Sequence, residues 1–483
     1  MTRPTMPNNY PNDEFDAPDP PPGNAELLRH LTRGGIAYSL SASERAEHGR
    51  DWWPLTISDV ARGRVPLWPG VVVRPTTTNQ VSDVVRHANS LGIAVTAQGG
   101  RSGVMGGSLA PTGAVALDLT GLDRVVAIDA MSGTVCVEAG VFGPHLEAAV
   151  NAAGLTVGHF PQSFELATVG GWLACRGAGQ YSNRYGKIED IVRGLKVVLA
   201  SGDVVEVGGR GPRQASGPDL VQLFVGSEGT LGVITEATLV VRPRPVHEER
   251  RSFNFSAFDD GLEACRRILQ RGAHPAVLRL YDERESMRHF DIKGCALLVL
   301  DEGDAVLASA TMIVVVEECA SATLLDESLV ATWLAHRNDV GKLAELWEGG
   351  TVVDTIEVAG RWAILSAVHA RVSAELRALP ETVVVSVHQS HAYPDGACLY
   401  FTFAGRPEGD PTSYYRRAWD AATNAALDAG ASLSHHHGVG RNRARFMNAA
   451  LGSSFPLLQS LKATLDPAGT LNPGVLGLAG EAW

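Results

Sequence analysis

The chain has 483 residues, a length that predicts two to three domains, with 45 % apolar and 19 % charged residues, as in a globular protein with sizeable cores. Forty-one basic against 53 acidic residues give a net charge of −12, which argues against a nucleic-acid-binding role and leaves room for a local basic pocket. Six cysteines are scattered without a CxxC pair, so neither a disulfide framework nor a metal site is expected, and a reducing compartment is the default.

No apolar signal segment opens the sequence and no run of about 18 apolar residues occurs, so the expected location is cytoplasmic. Peripheral membrane contact and a homodimer both stay open. Residues 1–23, ending in PNDEFDAPDPPPG, are rich in proline and acid and are expected to be disordered. A helix is predicted from about Ala25 to Leu31, within a 24–65 helical segment. VVVRP (71–75) reads as a strand, and Gln80 to Leu91 as a helix with Val81, Val84, Val85 and Ala88 on one face. GIAVTAQ is a strand, followed by the glycine-rich GGRSGVMGG. Further valine-rich strands follow, then LKVVLASGDVVEV, a hairpin turning at Ser201-Gly202-Asp203.

After Pro245 the pattern changes. FNFSAFDDGLEACRRILQRGAHPAVLRLYD reads as strand, helix, strand, and CALLVLDEGD and TVVVSVHQSHAYPDGACLYFTFAG add strands. An antiparallel sheet with helices on one side is expected. Pro411 to Ala429 is a helix ended by Gly430. The predicted division is 66–245 for one α+β unit, 246–433 for a second, and 434–483 for a segment returning to the first.

Three segments carry the chemistry. Gly99–Gly107 follows a strand directly, and its glycines let backbone N–H groups approach a pyrophosphate. Its spacing is not that of a Rossmann fingerprint. The second is PQSFELATVGGWLACRGAGQYSNRYG (161–186) and the third is VGSEGTLGVIT (225–235). Structural turns explain any one of them. A dinucleotide lying along all three explains the set. SLSHHHGVGRNR (432–443) is the most unusual string: three consecutive histidines bring proton transfer near neutral pH, and Arg441 and Arg443 offer cations for an anion. An exposed loop or an adventitious metal site is the plainer reading. In CLYFTF, alternation points Leu399, Phe401 and Phe403 one way and Tyr400 the other.

Val71–Pro245 resembles the FAD domain of the vanillyl-alcohol-oxidase and p-cresol-methylhydroxylase superfamily, and LDPAGTLNPG (465–474) resembles the tail of its members. The implied fold class is α+β: a two-subdomain PCMH-type FAD-binding domain with an inserted antiparallel α+β cap. The resemblance puts Pro75, Thr76 and Thr77 near the adenine side, and Gly99, Gly100, Arg101, Ser102, Gly103 and Val104 at the pyrophosphate. Pro161, Ser163, Thr168, Gly170, Gly171 and Arg176, with Glu228, Gly229, Gly232, Val233 and Ile234, would line the ribityl chain and ring. Covalent members use a histidine in the glycine-rich loop. Arg101-Ser102 stands there, so non-covalent FAD is expected.

PQSFELATVGGW, YGKIEDIV, GPRQASGPDL, LRLYD, DGACLYF and the histidine run further resemble alkylglycerone-phosphate synthases, the ether-lipid enzymes of that superfamily. That resemblance implies an exchange of the acyl group of acyl-dihydroxyacetone phosphate for a fatty alcohol, through a flavin N5 adduct and with no net redox change. By that resemblance Tyr400 would handle a proton, His435, His436 and His437 would line the site, and Arg279 would contact the substrate phosphate, while His388 and Arg441 are this chain's own further candidates to meet an anionic substrate. Two family arginines are replaced, at Ala344 and His388. Two other readings are carried: an FAD-dependent dehydrogenase or oxidase of a 2-hydroxy acid or alcohol with a histidine base, and a non-catalytic flavoprotein.

Overall fold

The structure is a computed structural model and describes residues 17–21, 23–338, 346, 347 and 349–478. The disorder expected for residues 1–23 falls mostly outside these residues, as does Ala344.

Among the described residues, valine-rich segments bounded by turns become four sheets. In the first, Val71–Arg74, Val115–Asp118 and Val95–Gln98 run parallel, and Ala37–Ser39 pairs antiparallel with Val71–Arg74. Val71–Val73 and Val115–Leu117, on neighbouring strands, are continuous apolar runs, as expected when a parallel sheet is covered. The helix Thr78–Ser90 covers it with Val81, Val84, Val85 and Ala88, the face read from the sequence. The Thr77 hydroxyl caps that helix on the Gln80 N–H. The second sheet is antiparallel, in the order Val125–Asp129, Thr134–Glu138, Val233–Val240, Val192–Val198, Val204–Gly208. Its last pair is the hairpin predicted around Ser201-Gly202-Asp203. A short pair, Leu155–Thr156 with Arg242–Pro243, follows.

The largest sheet has seven antiparallel strands, in the order Thr323–Leu325, His247–Phe255, Cys295–Gly303, Val277–Tyr281, Thr382–Tyr393, Gly396–Gly405, Val352–Arg361. Leu278, Leu280, Leu297, Val299, Val385, Val387, Leu399, Phe401, Phe403, Ile356 and Val358 bury one face under the helices Phe258–Gln270, Ala305–Glu318, Trp362–Ala378 and Pro411–Asp428. The sequence reading put helices on this side alone. The structure corrects it: Ser328–His336 packs Val330 and Trp333 against Val277, Leu298 and Leu300 on the other face. Those strands alternate apolar with apolar, so both faces require cover.

That second face carries a row of polar side chains. Cross-strand register pairs Tyr281 with His388, His388 with Tyr400, and Tyr400 with Glu357. Directly opposed residues on neighbouring strands point to the same side, so four residues far apart in sequence stand side by side. Among the described residues, no helix is long and apolar enough to cross a membrane.

Candidate active site

The three glycine-bearing segments meet. A Cβ on Gly99 would lie 2.1 Å from the Thr168 Oγ1, and one on Gly100 only 1.7 Å from the Leu166 carbonyl oxygen. The first loop therefore seats on the second segment only as glycine. The third joins through Gly226 N–H to Leu173 O (2.9 Å) and Glu228 N–H to Ala174 O (3.0 Å). Each segment holds one non-glycine residue in left-handed backbone: Arg101 (φ 54°), Arg176 (φ 57°) and Glu228 (φ 48°). Such conformations cluster where a ligand shapes the chain.

Glu228 is buried, and its carboxylate accepts from the N–H groups of Val439 (2.6 Å) and Gly440 (2.8 Å). Burial raises its pKa to about 7 despite these bonds. Asn472 donates to the carbonyls of Gly107 (2.9 Å) and Glu228 (2.7 Å). The tail also pairs with the first sheet, Val95 N–H to Thr470 O (2.8 Å) and Asn472 N–H to Val95 O (2.9 Å).

Several polar atoms near these seams are buried without a hydrogen bond among the described residues: both ring nitrogens of His159, Trp172 Nε1, Ser108 Oγ and Ser227 Oγ. Buried polar groups are nearly always paired. A polar ligand along the seam would pair them, and FAD, rich in acceptors and donors, fits. Pro75, Thr76 and Thr77 lie at the turn into the Thr78–Ser90 helix, where Pro75 O closely faces Gly121. Thr168 caps the Val169–Cys175 helix, with Gly170 packed on Ala139 and Gly171 donating to Thr168 Oγ1. Gly232 packs on Val197, and Val233 and Ile234 begin the central strand.

We expect FAD to leave the protein on acid precipitation. Gly100→Val is expected to purify without flavin, because its side chain must displace the 163–168 segment. The 450 nm-region absorbance of the purified variant, set against wild type, is the check, and full retention would dissociate this loop from the cofactor.

Above the row on the large sheet sits the histidine run, and Glu357 fixes it. This fully buried carboxylate accepts from Ser434 Oγ (2.6 Å), His435 N–H (2.5 Å), His437 N–H (3.0 Å) and Arg443 Nη1 (2.8 Å). Burial opposes its charge, but Arg443 and His437 prevail and hold the pKa down at about 2. Lys187 Nζ donates to the His435 carbonyl (2.6 Å).

The side chains then form one hydrogen-bonded chain. Burial raises the Tyr400 phenol well above its usual pKa, so it keeps its proton and donates to His436 Nε2 (2.5 Å). Neutral His436 then carries its proton on Nδ1 and donates to His435 Nδ1 (2.8 Å). His435 Nε2–H donates to the Tyr393 hydroxyl (3.1 Å), Tyr393 to Ser182 Oγ (3.2 Å), and Ser182 to His391 Nδ1 (2.8 Å). This set of tautomers satisfies every link. On its other side Tyr400 stacks on His388 at 4.7 Å between centroids. Arg279 Nη2 donates to His388 Nε2 (2.6 Å), and His388 Nδ1–H donates to Glu285 (3.1 Å).

Tyr400, His435, His436, His437, His388 and Arg279 are thus brought together. Arg441 is not: its guanidinium donates to the carbonyls of Leu109 (3.1 Å) and Pro473 (3.0 Å) and faces Asp51. Arg443, also read as an anion holder, is engaged by Glu357 instead. Both corrections have one cause: these arginines are almost fully buried and bind the 432–443 segment to its neighbours. Glu357, Glu285, Lys187, Ser182 and Tyr393 were not singled out from sequence. Cys398, His435 and His436 have ligand atoms within 4.8 Å of one another, a set that could hold a metal ion.

The histidines are held neutral. Burial is the main cause in each, with Lys187 helping at His435 (about 3), Arg279 at His388 (about 4) and neighbouring histidines at His391 and His436 (well below the usual value). Burial brings His437 to about 4 and His159 to about 3. Below about pH 6.5 these six would take up protons if the chain unfolded, while the folded protein resists until about 3–4 at His435, His388, His437 and His159 and until well below the usual value at His391 and His436. Stability is therefore lost as pH falls through that window, by up to about 1.4 kcal/mol per pH unit per group. Asp51 and Glu228 (about 7) and Asp354 (about 6), raised by burial, oppose this. Six groups outweigh three, so the thermal midpoint is expected to drop from pH 7 to pH 5. A midpoint that rises over that interval would contradict neutral, desolvated histidines.

Comparison with known proteins agrees with this architecture. Residues 69–208 match the FAD binding domain family, and residues 244–476 match the C-terminal domain of FAD linked oxidases. The alkyldihydroxyacetonephosphate synthase of Caenorhabditis elegans is 29 % identical over 93 % of this chain and 83 % of its own length. The uncharacterized FAD-linked oxidoreductase YgcU of Escherichia coli (strain K12) is 30 % identical over 84 % of this chain and 89 % of its own. Among solved structures, an alkyldihydroxyacetonephosphate synthase superposes with a TM-score of 0.80 at 26 % identity, covering 97 % of this chain and 88 % of that one. p-Cresol methylhydroxylase, at 16 % identity and a TM-score of 0.77 over 95 % of this chain and 98 % of its own, shares the fold.

Proposed function

The chain belongs to the FAD-linked oxidase family and uses FAD, and from that premise we propose that it is an alkylglycerone-phosphate-synthase-type enzyme. It would exchange the acyl group of acyl-dihydroxyacetone phosphate for a fatty alcohol. The observation that carries this reading is the Tyr400–His436–His435 chain beside Arg279. The similarity to two synthases along nearly the whole chain supports it.

When bound, FAD supplies a ring that accepts and returns an electron pair. The residues supply the rest. Arg279 would hold the anionic end of the substrate. The incoming alcohol must lose its hydroxyl proton as its oxygen replaces the departing carboxylate. Tyr400 can receive that proton on its oxygen while passing its own to His436 Nε2, and His436 can pass one from Nδ1 to His435. No isolated phenolate is needed, which matters because burial disfavours one.

A second reading is favoured by the neutral imidazoles and the 30 % identity to an FAD-linked oxidoreductase: oxidation of a 2-hydroxy acid or alcohol with histidine as base. Anaerobic mixing separates the two. Palmitoyl-dihydroxyacetone phosphate with hexadecanol is expected to give the ether product and palmitate without lasting loss of absorbance near about 450 nm. Bleaching by a hydroxy acid that reverses only in air, with no ether product, would replace the first reading by the second.

A further inference from the structure

Arg337 extends from the end of the Ser328–His336 helix toward Tyr181 of the 177–186 segment. Its guanidinium lies 5.2 Å from the Tyr181 ring centroid and 5.7 Å from that of Trp333. Arg279 lies 5.8 Å from the same Trp333 ring. Two cations thus share one buried indole. Among the described residues, neither has a carboxylate within ion-pair distance, whereas Arg184, Arg267, Arg271 and Arg288 of the same region each have one. Aromatic faces hold the two guanidiniums but do not neutralise them.

The free N–H groups set the shape of what fits. Arg279 Nε donates to the Tyr281 hydroxyl (2.7 Å) and Nη2 to His388, which leaves Nη1. Arg337 Nη1 is buried and, among the described residues, has no hydrogen-bond partner. A planar carboxylate is satisfied by the two-pronged end of one arginine. A group with oxygens in several directions is better matched to single prongs from two arginines. The two also flank the proton chain: Arg279 through His388, stacked on Tyr400, and Arg337 through Tyr181, next to Ser182.

We propose that Arg337 is a second anion-binding residue, which with Arg279 holds a single phosphate monoester dianion of the substrate. This deepens the synthase reading and rests on it for the identity of the substrate. The test titrates the FAD-loaded protein by calorimetry with dihydroxyacetone phosphate, dihydroxyacetone, D-lactate and palmitoyl-dihydroxyacetone phosphate. Wild type is expected to bind both phosphate esters and not dihydroxyacetone, which separates the phosphate from the rest of the molecule. The soluble and acylated esters should lose affinity alike on mutation if the phosphate alone is read. Arg337→Met should weaken phosphate-ester binding at least ~10-fold with FAD content and thermal midpoint unchanged, and Arg337→Lys should recover part of it. In Arg279→Met/Arg337→Met the two losses should be non-additive, since both residues grip one group. Binding unchanged in Arg337→Met, tighter D-lactate than phosphate-ester binding, or no phosphate-ester binding by wild type overturns the proposal. Acyl exchange is assayed separately on wild type. Exchange with unaltered Arg337→Met affinity removes this inference alone, whereas an Arg337-dependent phosphate site without exchange removes the synthase reading alone.

Discussion

Tyr400→Phe is expected to slow turnover by about 10²–10⁴-fold, the usual range for removing a positioned proton-transfer group, while FAD content stays that of wild type. The substitution deletes one oxygen. Leu399 and Phe401, which anchor the strand, point into the core on the other side and are untouched. The ring still stacks on His388, so the packing of the row is kept. What goes is the donor to His436 Nε2, and with it the first link of the chain to His435, Tyr393, Ser182 and His391. Single-turnover rates at saturating substrate report the chemical step directly. Equal rates in variant and wild type would reduce Tyr400 to a packing residue and move the base to a histidine.

Glu357→Ala is expected to destabilise the protein by about 3–5 kcal/mol, the cost of leaving a buried charge without its partner. The charge is that of Arg443, fully buried, whose Nη1 meets the Glu357 carboxylate and whose Nη2 meets the Glu357 carbonyl (2.9 Å). The carboxylate also gathers Ser434, His435 and His437, so the variant releases the backbone that aims the histidines. Activity should fall even where the protein is still folded. Urea unfolding at pH 7 measures the first effect. Glu357→Leu with Arg443→Met should recover much of the stability, because an apolar pair removes both charges, but not the activity. A loss under 1 kcal/mol in Glu357→Ala would mean that the pair contributes little.

Much of this was legible in the sequence, for local reasons. Glycine-rich stretches and valine runs announce turns and strands within a few residues, and alternation in CLYFTF separates Tyr400 from the core by itself. The partners of Tyr400 were not legible in that way. Tyr281, His388 and Glu357 join it only through strand register, across gaps of 119, 12 and 43 positions. Glu357 did leave a trace: in TVVDTIEVAG it is an acid inside a β-branched run, at a position where a strand buries side chains. Arg441 and Arg443 misled because a cation beside a histidine run looks the same whether it faces a ligand or a carboxylate behind the loop. Arg337 had no motif at all, and its meaning comes from the Trp333 ring it shares with Arg279 and from the absence of an acid within ion-pair distance among the described residues.

The clasp made by Thr470, Leu471 and Asn472 has a consequence for how the protein comes into being. The loop that would hold the pyrophosphate lies near position 100, yet Gly107 and Val95 are tied by residues more than 360 positions later. Contacts of such sequence separation form late, because the intervening chain must first be ordered. The nucleotide cradle is thus among the last parts of the molecule to be set, and a ribosome-bound chain lacking the clasp would present it unfinished. FAD uptake is then expected to mark the end of folding: cofactor supplied during synthesis should be captured only after residue 472 has emerged, and flavin fluorescence should change in the final refolding phase.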